Sequence, residues 1–122
     1  MIPEPRTAEE FFDGADRGLR IHVAVAAADA ALGPHGDRVS RSQIAFRRRR
    51  RFAYVWRPDR YLRSDVPAVL SIAASERWQS ARFTEVVRPS PRVWMHRLEL
   101  REVADVDAEV GRWLAAAYAA AG

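Results

Sequence analysis

The chain predicts an α+β domain: an antiparallel sheet of about five strands, with N-terminal helices and a C-terminal helix packed on one face. Three observations carry that expectation. Apolar residues recur at three and four before residue 33 and again after residue 105. Between those limits the period is two. The alternating stretches also follow one another across tight turns, which joins neighbours antiparallel.

Thr7 opens TAEE, a capping box in which its hydroxyl accepts from the Glu10 amide and the Glu10 carboxylate reaches back. Gly14 and Gly18 are expected to bend or break the helix that follows. Past them, Leu19, Val23, Ala26, Ala27 and Ala30 make an apolar stripe on a second helix, which Gly33-Pro34 stops. In VSRSQIAFR the alternation begins. Ser42, Ile44 and Phe46 share one face and Arg41, Gln43 and Arg47 the other, as in a strand. FAYVW, 52–56, reads as a second strand, with the arginine run Arg47 to Arg51 forming the ends of both strands and their turn. RPDRYL is the next turn, and VPAVLSIAA a short, largely buried third strand. ARFTEVV and RVWMHRLELR flank PSP, a second hairpin with prolines at its bend. In its last strand Trp94, His96, Leu98 and Leu100 face away from Val93, Met95, Arg97 and Glu99. Asp105 is expected to cap a final helix, with Asp107 and Glu109 complementing its dipole. Val106, Val110, Trp113, Leu114 and Ala117 form that helix's buried stripe.

At 122 residues and 48% apolar, the chain suits one domain with a packed core. The absence of cysteine excludes disulfides, thiol catalysis and Cys-ligated metals. No apolar run approaches the roughly 20 residues of a membrane span. MIPEPRTAEEFF is acidic rather than basic-then-apolar, unlike a secretory signal. A soluble cytoplasmic protein is the expectation. Every positive side chain is arginine, a bias that a GC-rich genome would write whatever the function. Distribution is more informative: residues 38–101 hold 16 Arg and 5 acids, and the flanks hold 4 Arg and 11 acids. Opposite charge is thus segregated along the chain.

Helices on one side leave the other sheet face partly open. That face should carry Arg41, Gln43 and Arg47, because Ile44 and Phe46 must point to the helices. It should also carry Arg97 and Glu99, because Leu98 and Leu100 must be inside. Phe52, Tyr54 and Trp56 share one face of their strand. Turned outward, they would set rings beside arginines, as single-stranded nucleic-acid platforms do; turned inward, the commoner arrangement, they are core. His96 has two readings as well. It is a hydrogen-bonded core residue, the more usual case, or it lines a solvent-reachable pocket with Gln43, Trp56 and Trp94. Three scattered histidines without spaced acidic partners make no metal site. Nor is there a nucleophile elbow, a phosphate loop or a dinucleotide fingerprint, so no catalytic residue, metal or cofactor is expected.

SQIAFRRRRRFAYVW (42–56) and RFTEVVRPSPRVWMHRLEL (82–100) together resemble an uncharacterised, typically actinobacterial family of small α+β domains of unknown function. The resemblance extends through TAEEFF and DVDAEVGRWL, nearly the whole chain. Ser42, Gln43, Phe46, Arg47, Phe52, Trp94, His96 and Leu98 match its pattern. Arg51 stands where relatives are expected to have glycine, and Arg97 where a second histidine is frequent. The resemblance implies an architecture and no activity.

The expected function is therefore a non-catalytic binding module with an arginine-rich sheet surface for an anionic ligand, nucleic acid foremost. Arg47, Arg48, Arg49, Arg50 and Arg51 supply charge, Arg41, Gln43 and Arg97 position the ligand, and Trp56 stacks if exposed. A small-molecule or enzymatic pocket around His96 is the alternative. Self-association into a homo-oligomer through oppositely charged sheet and helices is another, which salt would dissociate.

Overall fold

The computed structural model describes residues 4–60 and 62–122. Tyr61, from the expected turn RPDRYL, lies outside them. Along the chain come α1 (Ala8–Phe11), α2 (Asp16–Ala30), β1 (Gly36–Val39), β2 (Ile44–Arg47) and β3 (Arg51–Trp56). A 3-10 turn at Pro58–Arg60 precedes β4 (Ala68–Ala74), β5 (Phe83–Ser90) and β6 (Val93–Leu100). A second 3-10 turn at Val103–Asp105 leads into α3 (Ala108–Ala120). The fold is α+β, with one six-stranded antiparallel sheet in the order β1-β2-β3-β4-β6-β5.

Register explains which face the helices cover. Val39, Ile44, Val55, Leu70, Leu98 and Phe83 lie opposite one another across all six strands. The next inward row contains Phe46, Ala53, Ile72 and His96. Against these rows pack Phe11, Phe12, Ile21, Val25, Val110, Leu114 and Ala117. Each fully buried Leu, Ile or Phe contributes roughly 1.5–3 kcal/mol, so these rows outweigh any local propensity.

Several elements differ from expectation. The stretch 39–47 is two strands, not one. The Ser40 amide donates to the Gln43 carbonyl at 2.9 Å, and the Ser40 hydroxyl accepts from the Gln43 amide at 3.3 Å. That closes a turn which turns the chain back on itself, because serine offers the backbone an alternative to the ladder. Gly14, at φ +74°, does turn the chain after α1. Gly18 does not break a helix: it lies buried within α2, where a Cβ would stand 2.7 Å from the Phe12 ring and 2.8 Å from the Pro67 carbonyl. This close approach sets the rotation of α2. Its inward stripe is Gly18, Ile21, His22, Val25 and Asp29, while Val23 is 55% exposed and Ala27 and Ala30 face outward. At the other end Asp107, not Asp105, caps α3, accepting from the Val110 amide at 3.0 Å. Asp105 instead closes the preceding 3-10 turn in a capping box with Glu102.

β6 lies between β4 and β5, so the connection 75–82 must cross it. His96 pins that crossing. Its Nε2 accepts from the Trp78 amide at 2.9 Å, and the Trp78 indole stacks on the imidazole at 4.7 Å and on Trp113 at 6.4 Å. Arg82 completes the attachment with ion pairs of 3.0 Å to both Asp107 and Glu109.

Candidate anion-binding face

The arginine run joins β2 to β3 as expected, but its members separate by role. The Arg49 and Arg50 amides both donate to the Ala121 carbonyl, at 3.1 and 3.0 Å. Arg48 Nη1 donates to the Tyr118 carbonyl at 3.1 Å, its guanidinium 4.3 Å from the centre of the Tyr118 ring. Arg50 Nη2 donates to the Ala120 carbonyl at 3.0 Å. α3 has no basic residue in its own last turn. The hairpin therefore supplies, from 70 residues away, the cations and donors that a helix C-terminus favours. This corrects the expectation that all five arginines present their charge on a sheet surface: Arg48 and Arg50 are C-terminal caps. Arg47 donates from Nε to the Arg49 carbonyl within the turn. No glycine is needed at 51, since no non-glycine residue among those described has positive φ.

Arg51 is the member that reaches the open face. There, Arg38, Ala45, Tyr54, Ser71, Arg97 and Glu85 form one row across the six strands. A depression of about 460 Å³ is lined by Arg51, Tyr54, Trp56, Ser71, Met95 and Arg97, with Ser42 and Gln43 at its β2 end. A smaller one of about 220 Å³ adjoins it between Arg51, Gln43 and Arg38. A third, of about 700 Å³, opens from Arg51 toward the β5–β6 hairpin and the end of α3. Among the described residues no carboxylate lines any of the three, and Arg51 borders all of them. Arg97 is the partial exception to this positive field, its Nη1 lying 2.7 Å from Glu85.

The aromatic trio divides. Tyr54 and Trp56 are half-buried and line the open face. Phe52, 1% exposed, meets the Tyr118 ring edge-on at 5.6 Å. A register shift at Phe46/Arg47 bends the hairpin where α3 ends, and Phe52 is covered there. Arg41 lies in the β1–β2 turn rather than in a strand, beside Ser42.

His96 is fully buried. With Nε2 accepting from Trp78, Nδ1 carries the proton and faces the Ile72 carbonyl at 3.3 Å. Burial lowers its pKa below the ordinary 6.5, against the opposing pull of the Ile72 carbonyl, so the ring is neutral. His96 also points to the helices, whereas Gln43 and Trp56 line the opposite face. The pocket expected around His96 is thus not assembled. Trp94 is flanked instead by Arg77 and Arg88, whose guanidinium centres lie 5.6 and 5.0 Å from its ring.

Ser71 and Met95 were not singled out as site residues by the sequence, and Tyr54 only as one of three rings whose face was open. Alternation with Arg97 and Glu99 already placed Met95 outward; Ser71 sits in a strand that reads as buried on both faces, so nothing signalled it. Among the described residues no three His, Cys, Asp or Glu gather to hold a metal ion. No helix among them is long and apolar enough to cross a membrane. A family model for a domain of unknown function, DUF5655, matches residues 8–121, and the chain belongs to that family. No curated protein and no solved structure matches it.

Proposed function

We propose that this DUF5655 member is a binding module for a phosphate-bearing ligand with planar rings, best fitted by single-stranded nucleic acid, held on the open face of its sheet. One observation carries the reading: Arg51 stands at the junction of three depressions free of carboxylates, with Tyr54 and Trp56 beside it. A guanidinium offers paired donors to phosphate oxygens, and the rings accept bases without regard to sequence. Ser42, Ser71 and Gln43 add neutral donors and acceptors at the same rim. The placement of Arg51 itself favours a ligand role. It lies directly across from Arg47, a like-charge pair that weakens a hairpin, and it pairs with no carboxylate among the described residues.

Anisotropy of a labelled mixed-sequence single strand, titrated with the full chain at several salt concentrations, tests the reading. Arg38, Arg51 and Arg92 form no ion pair among the described residues and would meet roughly three phosphates. Log affinity against log salt should then slope near −2 for a single strand. Arg51→Glu should abolish binding while the melting temperature holds or rises. A flat salt response, or binding unchanged in Arg51→Glu, rejects the reading.

A further inference from the structure

The 700 Å³ cleft beyond Arg51 gives the open face a second seat. Its walls are the start of β3, the end of β4, the β5–β6 hairpin and the last turn of α3. Phe52, Met95, Pro91 and Ala120 provide an apolar floor and sides, and Arg92 stands at its far margin. Its volume is within the roughly 300–1,000 Å³ of clefts that enclose small organic groups. Arg51, Tyr54 and Met95 line both this cleft and the depression holding Trp56.

Along the face the order is ring platform, cation, apolar cleft, cation. Trp56 and Phe52 are four strand residues apart, about 13 Å, so a unit stacked on Trp56 leaves the cleft vacant. We propose that the ligand is a strand of at least two linked nucleotides. One base lies on Tyr54 and Trp56, the bridging phosphate meets Arg51, and the next base enters the cleft with its 3′ or 5′ phosphate toward Arg92. This inference rests on the nucleic-acid reading above and assigns it a second base site. The alternation argues against an alkyl anion, which has no use for a cation between two apolar seats. Charge supports the choice too: the cleft has Arg50, Arg51 and Arg92 around it and no acidic residue, although Arg50 is engaged with α3.

The test compares thymidine monophosphate, a thymidine dinucleotide and an oligothymidylate on the full chain, with Ala120→Leu as the perturbation. Ala120 is exposed on α3 and borders the cleft, so leucine fills the cleft from the helix side at little cost in helix propensity. The dinucleotide should bind about tenfold tighter than the monophosphate. Ala120→Leu should remove that gain and leave monophosphate affinity and the melting temperature as they were. Equal affinity for both, unaffected by Ala120→Leu, overturns the second seat while the single-site reading survives. Failure of all three probes to bind overturns both. Decanoate that binds and is excluded by Ala120→Leu, with no dinucleotide gain, reassigns the cleft to an amphipathic anion and overturns the proposal.

Discussion

Replacing Asp29 with asparagine should shift stability in favour of the variant progressively as pH rises. Asp29 lies in the last turn of α2, fully buried, and neither carboxylate oxygen has a hydrogen-bond partner among the described residues. Burial raises its pKa from 3.8 to about 7. The helix C-terminus, with its partial negative charge, is also a poor place for an anion. A carboxyl with a raised folded pKa takes up protons on folding. Its neutral form is fully present below the unfolded value, and stability falls as pH rises from about 4 to about 7. Above the folded value the loss is complete. Moving from 3.8 to about 7 corresponds to about 4 kcal/mol, and local water entry on ionisation brings the expectation to about 2–4 kcal/mol.

His22 and His96 act in the opposite sense. Burial lowers both pKa values, so each contributes stability above pH 6.5 that is lost as pH falls through its folded value. The assay must therefore read a difference. Urea unfolding of the native chain and Asp29→Asn in parallel from pH 4 to 8.5 cancels the histidines. Asparagine's own unpaired amide adds a pH-independent offset. The difference should grow by about 2–4 kcal/mol toward high pH in favour of Asp29→Asn. Curves that stay parallel across the range would show that the folded state leaves Asp29 hydrated, and the reasoning would be refuted.

Three further substitutions probe the long-range anchors. Arg48→Ala removes the bond to the Tyr118 carbonyl and the guanidinium from the Tyr118 ring; a loss of about 1–2 kcal/mol in urea unfolding is expected. Arg49→Ala, which keeps the amide that bonds the Ala121 carbonyl, should cost less than about 0.5 kcal/mol, so equal losses would contradict the capping role. His96→Leu keeps an apolar core but deprives the Trp78 amide of its acceptor, for about 1–3 kcal/mol, and should shift tryptophan emission as Trp78 loosens. Native stability with unchanged emission would remove His96 as the pin of the crossing.

Much of the architecture was legible because it is written locally. The change from period three-to-four to period two, the TAEE cap and the prolines at the β5–β6 bend each depend on residues a few positions apart. The Thr7 cap formed, with the hydroxyl accepting from the Glu10 amide at 3.1 Å, while the Glu10 carboxylate accepts from that hydroxyl at 3.4 Å and not from the Thr7 amide. Gln43 and Arg97 were also placed outward correctly, since alternation in a half-covered sheet is itself local, whereas alternation left open which way Phe52, Tyr54 and Trp56 face. The phase of α2 was misread because its rotation answers to Phe12 and Pro67, outside the helix.

The sequence by itself determined the fold class, the family and the segregation of sign between the middle of the chain and its ends. Tertiary structure alone decided how the arginines are used. Arg48 meets Tyr118 and Arg50 meets Ala120 across 70 residues, leaving Arg51 to face the open sheet. It also separated Phe52 from Tyr54 and Trp56, and sealed His96 beneath Trp78. The reason is physical: a side chain's period reveals which face it shares with its neighbours. What covers that face is chosen by distant segments competing to bury apolar area and satisfy backbone donors and acceptors.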